Sequence, residues 1–128
     1  MILVLDVGTT TLRAAEIDEH LDVATMVRRR VPPSTPFPGL VEFDAAELAR
    51  VALDAAGEAI AAAGGQVQAV GITNQRASTI IWDRHLGTPL GPALGWQDLR
   101  TVMECITAKA DHGLALAPNQ SATKLAWL

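Results

Sequence analysis

ILVLDVGTTTLRAAEID, Ile2 to Asp18, is the stretch on which the reading of the whole chain turns. Ile2 to Leu5 is an unbroken apolar run, as expected of a strand buried on both faces. The run ends on one carboxylate, Asp6. Gly8 follows, where a tight turn can form without a Cβ clash. Thr9, Thr10 and Thr11 then offer hydroxyls and backbone N–H groups, and a second apolar strand runs from Leu12 to Ile17. Strand, acid, glycine turn, hydroxyls, strand is an arrangement suited to phosphate and metal. The N–H and hydroxyl groups can hold phosphoryl oxygens, and the carboxylate can hold Mg²⁺ or one of its waters. The same segment reads equally well as an ordinary hairpin with a polar tip.

Working outward, 128 residues support one domain with a modest core, and a hydrophobic content of 49% excludes a disordered chain. The net charge is −4, so no global basic field points to nucleic acid or to a membrane surface. Arg28, Arg29 and Arg30 form the one basic run; a strand's alternation would split them, which suits a solvated edge strand. The single cysteine, Cys105, excludes an internal disulfide framework and reads as a small buried hydrophobe on a helix. No apolar run approaches the ~20 residues that span a bilayer, and no charged leader with an apolar core is present. The expected setting is reducing, soluble and cytoplasmic. His20, His85 and His112 lack metal-ligand spacing and read as solvent-facing loop residues.

Val23 to Val31 reads as a third strand. Pro32, Pro33, Pro36 and Pro38 mark an extended loop ending near Gly39. Asp44 is placed to cap a helix, with Glu47 in the capping-box position. Leu48, Val51, Ala52, Ala55, Ala59 and Ala62 share one face of that helix, and Gly64 and Gly65 end it. Val67 to Thr73 reads as a fourth strand and Thr79 to Trp82 as a fifth; Asn74 and Gln75, at a strand end, are placed to satisfy loop backbone. Trp96 to Asp111 is helical by period, with Leu99, Val102, Met103 and Ile106 on one stripe. Ser121 reads as the cap of a last helix whose Leu125, Trp127 and Leu128 are apolar. A terminal helix that short is marginal without something packed on it, so the chain reads as cut inside a domain.

Three strands, a helix and a further strand form the opening order of the ribonuclease-H-like (actin-like ATPase) fold. That is an α/β fold with a mixed sheet and flanking helices, here as an incomplete N-terminal domain over residues 1–128. GITNQRASTIIWD (Gly71 to Asp83), LGWQDLRT (Leu94 to Thr101) and SATKLAWL (Ser121 to Leu128) together resemble the FGGY carbohydrate kinases, most of all their glycerol kinase branch. PGLVEFD (Pro38 to Asp44) resembles the same branch's segment before its first helix.

The resemblance implies ATP-dependent phosphorylation of a sugar or polyol hydroxyl, with ATP and Mg²⁺ as cofactors. It matches Asp6 to the metal-associated acid, and Gly8, Thr9 and Thr10 to the first phosphate loop. It matches Arg13 to an arginine near the phosphates, Arg76 to a residue bonding substrate hydroxyls and Trp96 to an aromatic wall. Asp98 falls where branches resembling the xylulose kinases carry an acid for sugar hydroxyls; a first-turn helix carboxylate is the equal alternative. Arg76 alone would read as a surface ion pair, Trp96 as a packing residue and Trp82 as core.

Two departures count. Ala77 stands where glycerol kinases carry a glutamate, and Asn119 where they carry a tyrosine. A site that loses hydroxyl partners loses discrimination, so a substrate other than glycerol is expected. The resemblance places the catalytic base beyond Leu128, with no catalytic residue inside the chain, and the isolated chain is expected to be inactive. Association of copies through the C-terminal helix is a further expectation. The alternatives are a non-catalytic sugar-binding or regulatory module and another actin-like ATPase.

Overall fold

The computed structural model describes all 128 residues, which divide into two compact units rather than around one core. The first comprises Met1–Pro32 with Glu47–Gln75, the second Pro33–Ala46 with Arg76–Leu128. No helix is long and apolar enough to cross a membrane.

In the first unit, β1 (Ile2–Val7), β2 (Thr11–Ile17), β3 (Val23–Arg30) and β5 (Ala69–Asn74) form one sheet in the order β3-β2-β1-β5. β1 runs antiparallel to β2 and parallel to β5, so the sheet is mixed. A parallel neighbour demands a long crossover, and α1 (Ala45–Ala62) lies on that connection. The core gathers Leu3, Leu5, Leu12, Ala14 and Val27 of the sheet with Ala55, Ala56 and Ala59 of the helix. Small side chains on the helix let it approach the sheet closely, and each large aliphatic so buried contributes about 1.5–3 kcal/mol.

Two expectations need adjusting here. β1 is not covered on both faces: Leu3 and Leu5 are buried, whereas Ile2 is exposed. β5, an edge strand, leaves Val70 and Ile72 open, because α1 packs on the strands at the other side of the sheet. The basic run does lie on an edge strand. Arg29 turns toward α1 and pairs with Glu58, while Arg28 and Arg30 face solvent.

The β1–β2 turn closes when the Gly8 N–H donates to the Thr11 carbonyl at 3.2 Å. A Cβ on Gly8 would stand 2.6 Å from that oxygen, so the turn admits only glycine. Gln75, at the end of β5, donates its side-chain amide to the Gly8 carbonyl at 3.0 Å, the loop-satisfying role its position predicts. Past α1, Gly64 and Gly65 both take left-handed φ angles, of 78° and 86°, and end the helix.

The second unit is built on short pieces. β4 (Glu42–Phe43) pairs with β6 (Ala93–Leu94), and neither is signalled by a local pattern. The expected strand at Thr79–Trp82 is reduced to isolated bridges, Thr79 to Leu94 and Trp82 to Pro89. Pro89 and Pro92 have no N–H to donate, which interrupts the ladder. Trp82 is exposed rather than core. The helix expected from Trp96 begins only at Val102, as α2 (Val102–His112), and ends at Gly113 with φ of 68°. Cys105 is its buried residue, and the stripe of Leu99, Val102, Met103 and Ile106 is open instead. His112 ends this helix rather than lying in a loop. In α3 (Ser121–Trp127) the cap position belongs to Gln120, and Ser121 is already helical.

The segment before α2 is held out of the helix by partners elsewhere: the Leu99 N–H donates to the Gly39 carbonyl at 2.8 Å, and Asp98, fully buried (0% exposed), takes the Arg100 N–H. Its carboxylate accepts the Val41 N–H at 2.6 Å, the Arg100 N–H at 3.0 Å, and Arg100 Nε and Nη2, both at 2.8 Å. A side chain that captures its own downstream N–H competes with the helix for it. Arg100 in turn reaches Glu42 at 2.6 Å and lies over the Trp127 ring, 4.6 Å from its centroid. Burial pushes the Asp98 carboxyl up, but the Arg100 guanidinium, with the Val41 and Arg100 N–H groups, more than offsets it. The net result lies below the ordinary carboxylate value.

A depressed acid stabilises the fold above its unfolded pKa, about 3.9, and that stabilisation is lost as pH falls through the lower folded value. Urea unfolding should therefore show the chain weakening steeply below about pH 4, with Asp98→Asn flattening that slope. At neutral pH, Asp98→Ala should cost about 3–5 kcal/mol, because it leaves a buried guanidinium short of its partner. A variant with unchanged stability and an unchanged acid limb would refute the assignment.

Candidate functional site

In the first unit the acid and the turn lie together at the end of β1. Asp6 and Arg13 are direct partners across the β1–β2 ladder, and Arg13 Nη1 donates to Asp6 Oδ2 at 2.7 Å. Both side chains are close to half-exposed, so the pair adds little to stability, about 0–1 kcal/mol. What it does is hold a cation and an anion side by side at a solvent-facing strand end. An arriving anion can take Arg13 in a forked contact, leaving the acid for a metal ion or its water. Gly8 closes the turn with its own N–H, so its part is to shape the loop rather than to donate outward. Thr10 is exposed at the tip, and its carbonyl accepts the Val31 N–H at 3.0 Å. Thr9, beside it, is half-buried.

The site's fit to Mg²⁺ can be judged from its donors. Mg²⁺ keeps several waters and takes one or two carboxylates together with substrate phosphates. A single accessible carboxylate with one oxygen on Arg13 suits that mode. No cluster of three or more His, Cys, Asp or Glu residues forms a protein-only cage.

In the second unit Arg76 is exposed and takes part in none of the chain's ion pairs, so the surface salt-bridge reading falls. Ala77 follows with φ of 60°, a left-handed conformation that costs a residue with a Cβ roughly 1–2 kcal/mol. The Ser78 hydroxyl accepts the Trp96 N–H at 3.1 Å, which sets the Trp96 backbone against the Arg76–Ser78 turn. Trp96 is 43% exposed and presents an open indole. Arg76 and Trp96, far apart in sequence, thus sit on adjoining segments of one unit. Asp98 does not join them at the surface. Its oxygens face Val41 and Arg100, and it stands ahead of α2, outside the first turn where a macrodipole would favour it. Its part is to fix the segment that carries Trp96.

One residue escaped the sequence reading. Lys124 is fully buried (0% exposed) in α3, and its ammonium donates to the Ala77 carbonyl at 3.0 Å. Burial lowers its pKa from the usual lysine value, with the charge of Asp98 pulling the other way. Lys124 lies within the SATKLAWL motif, but its burial is not marked there, since a lysine after Thr123 on a short helix reads as solvated. Asn119 is exposed, just before α3.

Comparison with known proteins bears on the family and the fold. Residues 1–128 match the FGGY family of carbohydrate kinases, N-terminal domain. A glycerol kinase of Trichlorobacter lovleyi is 44% identical over 139 residues, covering 99% of this chain and 28% of that protein. A crystal structure of Plasmodium falciparum glycerol kinase with ADP superposes with a TM-score of 0.91 at 27% identity, over 100% of this chain and 28% of that one. A xyloylose kinase from Brucella ovis gives 0.81 at 28% identity, over 98% and 28%. The chain thus spans little more than a quarter of the relatives it matches. Those neighbours share the actin-like ATPase fold, in keeping with the mixed sheet and flanking helices described above. A mixed sheet ending in an acid and a glycine turn, and a family match running the length of the sequence, have one reading: the chain belongs to the FGGY family of carbohydrate kinases.

Proposed function

We propose that this chain supplies the phosphate loop and one wall of the substrate pocket in an ATP-dependent kinase acting on a sugar or polyol hydroxyl. The observation that carries the reading is the Asp6–Arg13 pair, held at 2.7 Å beside the Gly8 turn in a chain of this family. Arg13, with Thr9 and Thr10, would hold phosphoryl oxygens, and Asp6 would hold Mg²⁺ through a water. Mg²⁺ bound with ATP supplies neutralisation of the charge that spreads over the transferring phosphoryl group.

Arg76 offers forked donors to neighbouring hydroxyls, and Trp96 offers an apolar plane to the carbon skeleton. Asp98 acts behind Trp96 rather than on the sugar. The general base and the nucleotide cradle are placed outside these residues, as the family resemblance implies. A cytoplasmic setting, where ATP is at hand, suits this chemistry. Leu125 and Trp127, exposed on α3, are the surface through which copies would associate.

Three measurements test the reading in a kinase carrying this chain as its N-terminal part. Asp6→Asn should lower kcat by roughly 100-fold or more while the sugar KM moves little, because metal and phosphoryl charge matter most in the transition state. Unchanged turnover rejects the assignment of Asp6. In a substrate panel, a larger polyol or a ketose should exceed glycerol in kcat/KM, since Ala77 and Asn119 replace hydroxyl-bonding groups; glycerol as the best substrate sinks that part. The 128-residue chain alone should give no sustained sugar-dependent ADP release, because transfer needs base, hydroxyl and nucleotide aligned together. Sustained turnover would show that the base lies within it.

A further inference from the structure

We infer that Lys124 is a positioning residue for the substrate turn: its buried ammonium holds the Ala77 carbonyl and so sets the direction in which Arg76 and residue 77 face. The inference rests on the proposed pocket and adds to it a group that lies wholly outside solvent.

An alanine in the left-handed region persists only where its surroundings over-determine it. At Ala77, with φ of 60°, the neighbouring contact that does so is the bond from Lys124 Nζ to the Ala77 oxygen at 3.0 Å. A lysine with no exposed surface is an expensive way to satisfy one carbonyl. A neutral donor of similar reach would satisfy the same carbonyl at less cost in desolvation. The ammonium brings a charge-assisted bond to a loop that secondary structure does not hold: residues 75–78 belong to no strand or helix.

The rest of α3 is anchored to take that load. The Thr123 hydroxyl shares a buried bond of 3.0 Å with Thr101 and donates to the Gln120 carbonyl at 3.1 Å. Thr101 lies at the head of α2, directly after Arg100, so the helix bearing Lys124 is tied to the segment that Asp98 fixes. Trp96 leads into that same segment and is bonded through its N–H to Ser78. The turn carrying Arg76 and the segment carrying Trp96 therefore share one support, and Lys124 is the member of it that contacts the turn.

Glycine takes left-handed angles without the Cβ penalty. If Lys124 works by holding that conformation, Ala77→Gly should repair its loss, which a general packing defect would not allow. In the full-length kinase carrying this chain, Lys124→Met should raise the sugar KM at least 10-fold and leave the ATP KM within about twofold. Ala77→Gly added to it should bring the sugar KM back to within about threefold of the parent. Ala77→Val, which β-branching drives out of the left-handed region, should raise the sugar KM in the same way with Lys124 in place. It serves where Lys124→Met does not fold. An unchanged sugar KM, equal rises in both KM values, or no repair by Ala77→Gly overturns the inference.

A kinase with no turnover on any sugar or polyol instead defeats the proposed function. Amide exchange in the 128-residue chain then still tests the positioning itself. Lys124→Met should speed exchange of the Thr79 N–H, which donates to the Leu94 carbonyl at 2.9 Å, at least 10-fold, with the Ala14 N–H unchanged. Ala77→Gly should reverse this. Equal acceleration at both amides, or none, overturns the inference.

Discussion

Asp98 must stay charged to hold Val41 and Arg100, and the second unit has little else to organise it. Its two strands are two residues each, and its buried apolar side chains are few: Phe43, Ala93, Leu94 and Cys105. Buried beside them are Thr79, Asp98, Thr101, Thr123 and Lys124, an unusual share of polar groups for an interior. Such an interior gains little from the hydrophobic effect and depends on each polar group finding a partner. One carboxylate with four donors and one guanidinium with two acids meet the charged part of that demand at a single point, while Thr101, Thr123 and Lys124 find partners elsewhere in the unit. Direction comes with it, since hydrogen bonds fix angles where apolar contacts do not.

The first unit solves the same problem by opposite means. Its core is aliphatic, its sheet is continuous, and its helix presents alanines to the strands. Rigidity of that kind would suit the role proposed for its loop, holding charged oxygens without rearranging at the moment of reaction. The glycine at position 8 serves the same end: the turn is tight enough that a single methyl would collide with backbone. Gln75 then braces the loop from the neighbouring strand, so two chain segments 67 residues apart define one turn.

What could be read from the sequence follows from this contrast. β1, β2, β3 and α1 were legible because each carries its own signal: apolar runs, a polar tip, an acid before an alanine face, and paired glycines. The family resemblance was legible because motifs in order survive wherever the chemistry sits. The second unit was legible in its motifs but not in its elements. Helical period extends back to Trp96 in sequence, while Asp98, Gly39 and Ser78 take the Arg100, Leu99 and Trp96 N–H groups. The Thr79–Trp82 segment had strand-forming residues but faced prolines. Trp82 is exposed for a related reason: hydrophobicity predicts burial only where something lies above the residue.

Lys124 marks the deepest limit of sequence reading and also why the limit matters. Its role exists only through a carbonyl 47 positions away, on a turn whose left-handed residue is an ordinary alanine. Neither residue alone signals the other in the sequence. Together they place a strained turn on a buried charge, joined by one bond of 3.0 Å. Position 77 is also where this chain departs from the glycerol kinase branch. A carboxylate there would project from the same left-handed backbone, close to a carbonyl already polarised by an ammonium. In the proposed pocket, alanine would change the group presented to substrate and leave the Lys124 bond to the residue 77 carbonyl intact. Specificity in that pocket would then vary at one part-buried side chain while the contacts of Asp98, Arg100 and Lys124 behind it stay in place.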